Sequence, residues 1–101
     1  MYHTIGIMKR PNLTVPFYKA SDAYNAWMTE TYINTGKMTR TISLSIDGLT
    51  KTQTAAWATP EDEAEQSSHP NTIAMVAERQ AYNTEHGIIR IWARSEGTES
   101  V

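Results

Sequence analysis

The chain contains no cysteine. That absence excludes disulfides, thiolate nucleophiles, Cys-ligated zinc and iron–sulfur clusters together. No apolar run comes near the roughly 20 residues a membrane span needs, and no charged-then-apolar segment opens the sequence. The expectation is therefore a cytoplasmic protein without membrane association. Positive charge is not in excess either: nine Lys plus Arg stand against 11 Asp plus Glu, a net charge of -2. Binding to nucleic-acid phosphates is not expected at that balance. Aliphatic residues are few, since Leu, Ile, Val and Phe together number 16 of 101. A chain so poor in them approaches the composition of disorder, but disorder also needs high net charge. Five Tyr, three Trp and five Met supply apolar area instead, each Tyr or Trp offering roughly 150–250 Å². The length predicts one domain over 1–94, followed by a polar tail over 95–101.

Two periodicities share the chain. Tyr2 to Lys9 alternates as a strand, with His3, Ile5 and Ile7 on one face and Thr4, Gly6 and Met8 on the other. Pro11 ends it. Ser21 or Asp22 opens a helix, with Tyr24, Trp27, Met28 and Thr31 along one face and Gly36 at its end. Met38 to Ile46 alternates again, and Asp47-Gly48 marks a hairpin. A two-residue turn would set Ile46 against Leu49 and Ser43 against Thr52. A three-residue turn with a bulge would shift that register, and the two stay open. The return strand runs from Leu49 to Ala58.

Thr59-Pro60-Glu61-Asp62 begins a second helix: a hydroxyl to cap it, Pro in the first turn, then acids where the helix dipole favours them. The acids Glu61, Asp62, Glu63 and Glu65 are read as a solvated first turn rather than a metal site. Pro70 predicts either a kink or a second helix start. Gly87 stops the helical pattern, and Ile88 to Arg94 is the last strand. The order β-α-β-β-α-β on this length predicts an α+β ferredoxin-like sandwich, a four-stranded antiparallel sheet with helices on one face.

That face assignment leaves a difficulty. A sheet covered on one side should be polar on the other, yet the first and last strands carry apolar residues on both faces. A second copy of the chain, packed against the open sheet face, would cover them. A homodimer is the expected partner state.

One stretch is motif-like: Trp57-Ala-Thr-Pro-Glu-Asp-Glu-Ala closes the third strand and opens the second helix, with His69 after it. With the element order, it resembles the dimeric α/β-barrel superfamily, particularly its antibiotic-biosynthesis-monooxygenase-like members. The resemblance implies a dimeric barrel and a cofactor-independent oxygenase or isomerase acting on a small aromatic or apolar compound. In that reading His69 would take a phenolic proton. Trp57, Tyr24 and Trp27 would wall the pocket, and His3 or Arg90 would steady a developing oxyanion. Haem-degrading relatives use an Asn on the first strand and this strand has none, so no cofactor and no metal are expected.

Each residue also has a plainer account. His69, before a proline, would cap the following helix. Trp57, Tyr24 and Trp27 would fill the core, while His3 and Arg90 would sit at a surface or interface. The alternative function is a non-catalytic, small-ligand-binding or stress-related dimer. An RNA-recognition domain shares the topology, but the third strand lacks its Gly-aromatic signature.

Overall fold

The computed structural model describes residues 2–95, so the expected polar tail lies, beyond Ser95, outside the described residues. The chain forms β1 (Tyr2–Lys9), α1 (Asp22–Met28), a π-helical turn (Thr29–Ile33), β2 (Met38–Leu44), β3 (Thr50–Trp57), α2 (Pro60–Ser68), α3 (Pro70–His86) and β4 (Ile89–Ser95). The strands make one antiparallel sheet in the order β2-β3-β1-β4. With its helices this is an α+β fold.

Local chemistry sets most boundaries. Ser21 Oγ accepts the Tyr24 N–H at 3.1 Å and starts α1. The helix then widens instead of running on to Gly36: Asn34 N–H bonds to Thr29 O, and Lys37 N–H to Tyr32 O. These five-residue steps make the π turn. Thr59 Oγ1 caps α2 by accepting from Asp62 N–H, with Pro60 in the first turn. His69 is extended, at φ -68 and ψ 139, so α2 and α3 are two helices meeting at one residue. The extended backbone is what Pro70 requires of the residue before it.

The hairpin keeps the pairing of the tighter alternative without its turn. Ser43 does face Thr52. Asp47, however, has a negative φ; among the described residues only glycines have positive φ. Its carboxylate accepts from Ser45 Oγ at 2.6 Å and Leu49 N–H at 3.0 Å. That local capture holds Asp47 out of the left-handed region a type I′ turn demands.

Register divides the sheet into two faces. Thr4 and Gly6 of β1 lie beside Ala55 and Gln53 of β3, and beside Arg94 and Trp92 of β4. This face meets the helices. Its core is one cluster of Met28, Tyr32, Met38, Ala55 and Trp57, with Tyr2, Tyr24, Trp27 and Ile33 packed around it. Rings are joined edge to face, Trp27 on Tyr32 at 5.5 Å and Tyr32 on Trp57 at 5.8 Å. Among the described residues the opposite face has no helix. There β1 offers Ile5 and Ile7, and β4 offers Ile89 and Ile91, 65% and 62% exposed. Across from them stand Thr52 and Thr54 of β3, paired with Ser43 and Thr41 of β2. One half of the open face is aliphatic and the other hydroxylic.

Candidate functional site

The core cluster fills only part of the space between sheet and helices. The rest is a cavity of about 530 Å³. Its floor is the inner face of all four strands, its roof is α1, α2 and α3, and one wall is the segment from Tyr18 to Ala20. Arg10 pins the loop that carries this wall. Its Nε donates to Gly48 O at 2.9 Å, its Nη1 donates to Val15 O at 3.1 Å, and its guanidinium lies over Phe17.

Two features of the floor give the cavity its depth. Gly6 has no side chain, and a methyl there would meet Arg90 Nη2 at 3.5 Å and Trp92 Cε3 at 3.6 Å. Arg90 and Trp92 therefore lean across β1, the guanidinium 4.8 Å from the Trp92 ring centre. At the other end Trp57 is held flat: its indole N–H donates to Thr4 Oγ1 at 3.1 Å, and both residues are buried. The roof is tied by Gln66, whose amide donates to Tyr24 Oη at 2.9 Å and Thr72 Oγ1 at 3.1 Å. One side chain of α2 thus fixes α1 and α3 together.

Charge is distributed unevenly. Six of the nine Lys and Arg of the chain line the cavity, and Glu63 is the one acid among the described lining residues. Glu63 is already engaged, receiving Arg94 Nε on one oxygen at 3.0 Å and Arg94 Nη2 on the other at 3.2 Å. The fork raises the Arg94 guanidinium above its ordinary pKa, chiefly through this hydrogen bond. Among the described residues the remaining lining cations have no such partner. Arg90 is pushed down to about 10 by burial and then by the charge of Arg79. Burial also lowers Arg79. Lys51 is lowered by burial, then by Arg40 and Arg79. Arg79 Nε is buried without a hydrogen-bond acceptor.

Three of the residues singled out in the sequence, Trp57, Tyr24 and Arg90, line this cavity. The other three lie outside its lining. His69 Nδ1 accepts the Asn71 N–H at 3.0 Å and caps α3, and its ring lies 4.4 Å from that of Trp27. Trp27 in turn packs on Tyr32, within the core layer. His3 belongs to the opposite sheet face, paired with Ala56 and Ser95. The sequence reading missed Arg40, Lys51, Arg79 and Arg94. A signal existed, since Arg90, Trp92 and Arg94 share one face of β4, and Lys51 shares one of β3 with Trp57. Among the described residues no group of three or more His, Asp or Glu could hold a metal, and no helix is long and apolar enough to cross a membrane.

No family model matches the chain, and no curated protein sequence matches it.

Proposed function

We propose that this protein binds a small organic molecule in the cavity between its sheet and its helices. The observation that carries this reading is the cavity itself: about 530 Å³ left open beside a well-packed aromatic cluster. Binding sites for compounds of drug size fall in the range of about 300–1,000 Å³, mostly apolar with a few placed polar groups. Trp57, Trp92, Met28 and Met38 supply the apolar wall here, and Tyr24, Gln66 and Thr72 the polar groups. Binding without chemistry is favoured over the oxygenase reading because His69 is spent on a helix cap outside the lining.

One observation favours catalysis as a second reading. Lys51 is a half-buried amine in the cavity, lowered by burial and by its cationic neighbours. In that reading Lys51, in place of His69, takes the proton of a phenolic substrate in a cofactor-independent oxygenase or isomerase.

The proposal extends to assembly. The order β2-β3-β1-β4, with helical crossovers on one face, supports a ferredoxin-like sandwich of the dimeric α/β-barrel type. The exposed Ile89 and Ile91 beside Ile5 and Ile7 support a second copy on the open face.

Thermal shift over a library of aromatic and apolar compounds tests the first part. At least one compound should raise the melting temperature of the wild type and not of Gly6→Leu, whose side chain would occupy the floor. A library without such a compound refutes the reading. Light scattering tests the second part: twice 11.4 kDa is expected, falling to the monomer in Ile91→Glu. A wild-type monomer at micromolar concentration refutes the dimer.

A further inference from the structure

A chain of net charge -2 has gathered six of its nine basic residues around one concavity. Exposed surface would host those charges at no cost. Lining the cavity with them takes water from Lys51, Arg79 and Arg90, though not from the exposed Lys19 and Arg94, and sets them against one another. Arg79 acts on both Lys51 and Arg90, and Arg40 acts on Lys51. The ordinary remedy is a carboxylate beside each cation, and among the described residues that remedy reaches Arg94 alone, through Glu63. Arg79 keeps a buried Nε–H without an acceptor, a loss structures seldom carry without a reason. The cavity's own described side chains therefore leave these cations short of negative charge. What completes the site has negative charge.

We propose that the ligand of this cavity is an organic anion, its anionic group held by Arg79, Arg90 and Lys51 and its apolar, ring-bearing body laid against Trp92 and the methionines. The assignment rests on the small-molecule reading above and narrows it to a chemical class. Guanidinium forks suit carboxylate and phosphate oxygens because two N–H groups meet two oxygens in one plane. An inorganic ion would satisfy the charges but leave most of the 530 Å³ unused. The walls ask for carbon. Four of the five Met residues, Met8, Met28, Met38 and Met75, line the cavity, and their flexible thioethers adapt to irregular apolar shapes. Trp92 lies between the guanidinium groups of Arg90, at 4.8 Å, and Arg94, at 5.5 Å. A ring entering beside it finds a flat partner next to the charge. Nucleic acid does not fit this arrangement, since the cations line a recess rather than a ridge that could follow a phosphate backbone.

Three compounds of one shape and different charge test the assignment by isothermal titration calorimetry on the full chain: 2-naphthoate, 2-naphthamide and 2-naphthamidine, which are anionic, neutral and cationic. Naphthoate is expected to bind at least about tenfold more tightly than the amide, the factor one charge-assisted hydrogen bond supplies. The amidine should bind more weakly than either. Arg79→Met and Arg90→Met should each weaken naphthoate about tenfold and leave the amide within about twofold. Arg90→Lys should recover part of the loss, and Lys9→Met, on the other sheet face, should change nothing. 2-Naphthyl phosphate included alongside reports the preferred head group, and either anion above the amide supports the assignment. Equal affinity for naphthoate and naphthamide overturns it while leaving the small-molecule reading intact. Failure of all four compounds to bind overturns the assignment, and the small-molecule reading falls with it only if no compound of the wider library raises the melting temperature either.

Discussion

Removing the hydroxyl of Thr4 while keeping its shape isolates one contact that fixes the cavity floor. The Trp57 indole N–H donates to Thr4 Oγ1 at 3.1 Å, with Thr4 3% and Trp57 3% exposed. In Thr4→Val the branched side chain still fills its place on β1, but the indole N–H loses its acceptor in a site water does not reach. A buried donor left unpaired costs about 1–3 kcal/mol, more than the net worth of the bond. For a domain of this length that is a melting-temperature drop of roughly 5–15 °C. Thr4→Ser keeps the acceptor and removes one methyl, so its loss should stay near 1 kcal/mol. Trp57→Phe in the Thr4→Val background removes the donor as well. The double variant should therefore be less damaged than the two single losses added together. Urea unfolding followed by far-UV circular dichroism gives the energies, and the indole N–H resonance of Trp57 gives a local check by its hydrogen exchange. The reasoning is refuted if Thr4→Val is as stable as wild type, or if Thr4→Ser loses as much as Thr4→Val.

Gly48 has φ +76, and a methyl there would come within 2.9 Å of Leu13 Cδ2. Gly48→Ala should cost about 1–2 kcal/mol in urea unfolding and loosen the loop that Arg10 pins; an unchanged midpoint would contradict the packing described. Tyr32 has its phenol raised well above the ordinary value by burial and then by donation to Glu65. A raised acid keeps its proton in the folded state, so its stabilisation is complete below about pH 10, the unfolded value, and falls as pH rises above it. The stability advantage of wild type over Tyr32→Phe should shrink from pH 9 to pH 11, and an advantage constant over that span would count against the assignment. Asn83 is buried, its Oδ1 lacks a partner and its Nδ2 reaches only the Met8 sulfur at 3.9 Å. Asn83→Leu should be neutral or stabilising by about 1 kcal/mol, since the amide oxygen is unsatisfied and the amide N–H has only a weak sulfur acceptor. A fall in melting temperature would show a hydrogen bond not described here.

Much of the architecture was legible because backbone chemistry is local. Pro11 and the alternation before it bounded β1 at its true ends, Thr59-Pro60 marked one helix start, and Pro70 left a kink or a second start, of which the extended His69 makes the second. The turn was less legible, because Asp47-Gly48 suits several loops and the capture of the Asp47 carboxylate by Ser45 and Leu49 decided among them. The site was half legible. A period of two sorts side chains into faces but does not say which face a helix will cover. Lone basic residues such as Arg40 and Lys51 therefore give no sign, in the sequence, of their place. His69 had two readings in the sequence, a proton-transfer role from the resemblance and a helix cap from the proline after it, and its ring makes the cap, Nδ1 accepting the Asn71 N–H.

The sheet order has a consequence in time. β1 lies between β3 and β4, so its two edges are paired with strands that follow it by half the chain and nearly the whole chain, His3 with Ala56 and then with Ser95. On a ribosome adding about 5–20 residues per second, the second of those partners arrives on the order of ten seconds after β1 emerges. Until β3 is made the strand offers Ile5 and Ile7 and both rows of backbone donors and acceptors to any passing chain, and the row that β4 will pair stays open for the rest of the interval. Long-range pairing of this kind is also slow to form once the strands exist. Variants that place a charge at Ile5 or Ile7 should therefore change soluble yield before they change the melting temperature of what folds. Of the two strands enclosed on both edges in the finished sheet, β1 is the one left longer without a neighbour while it is made.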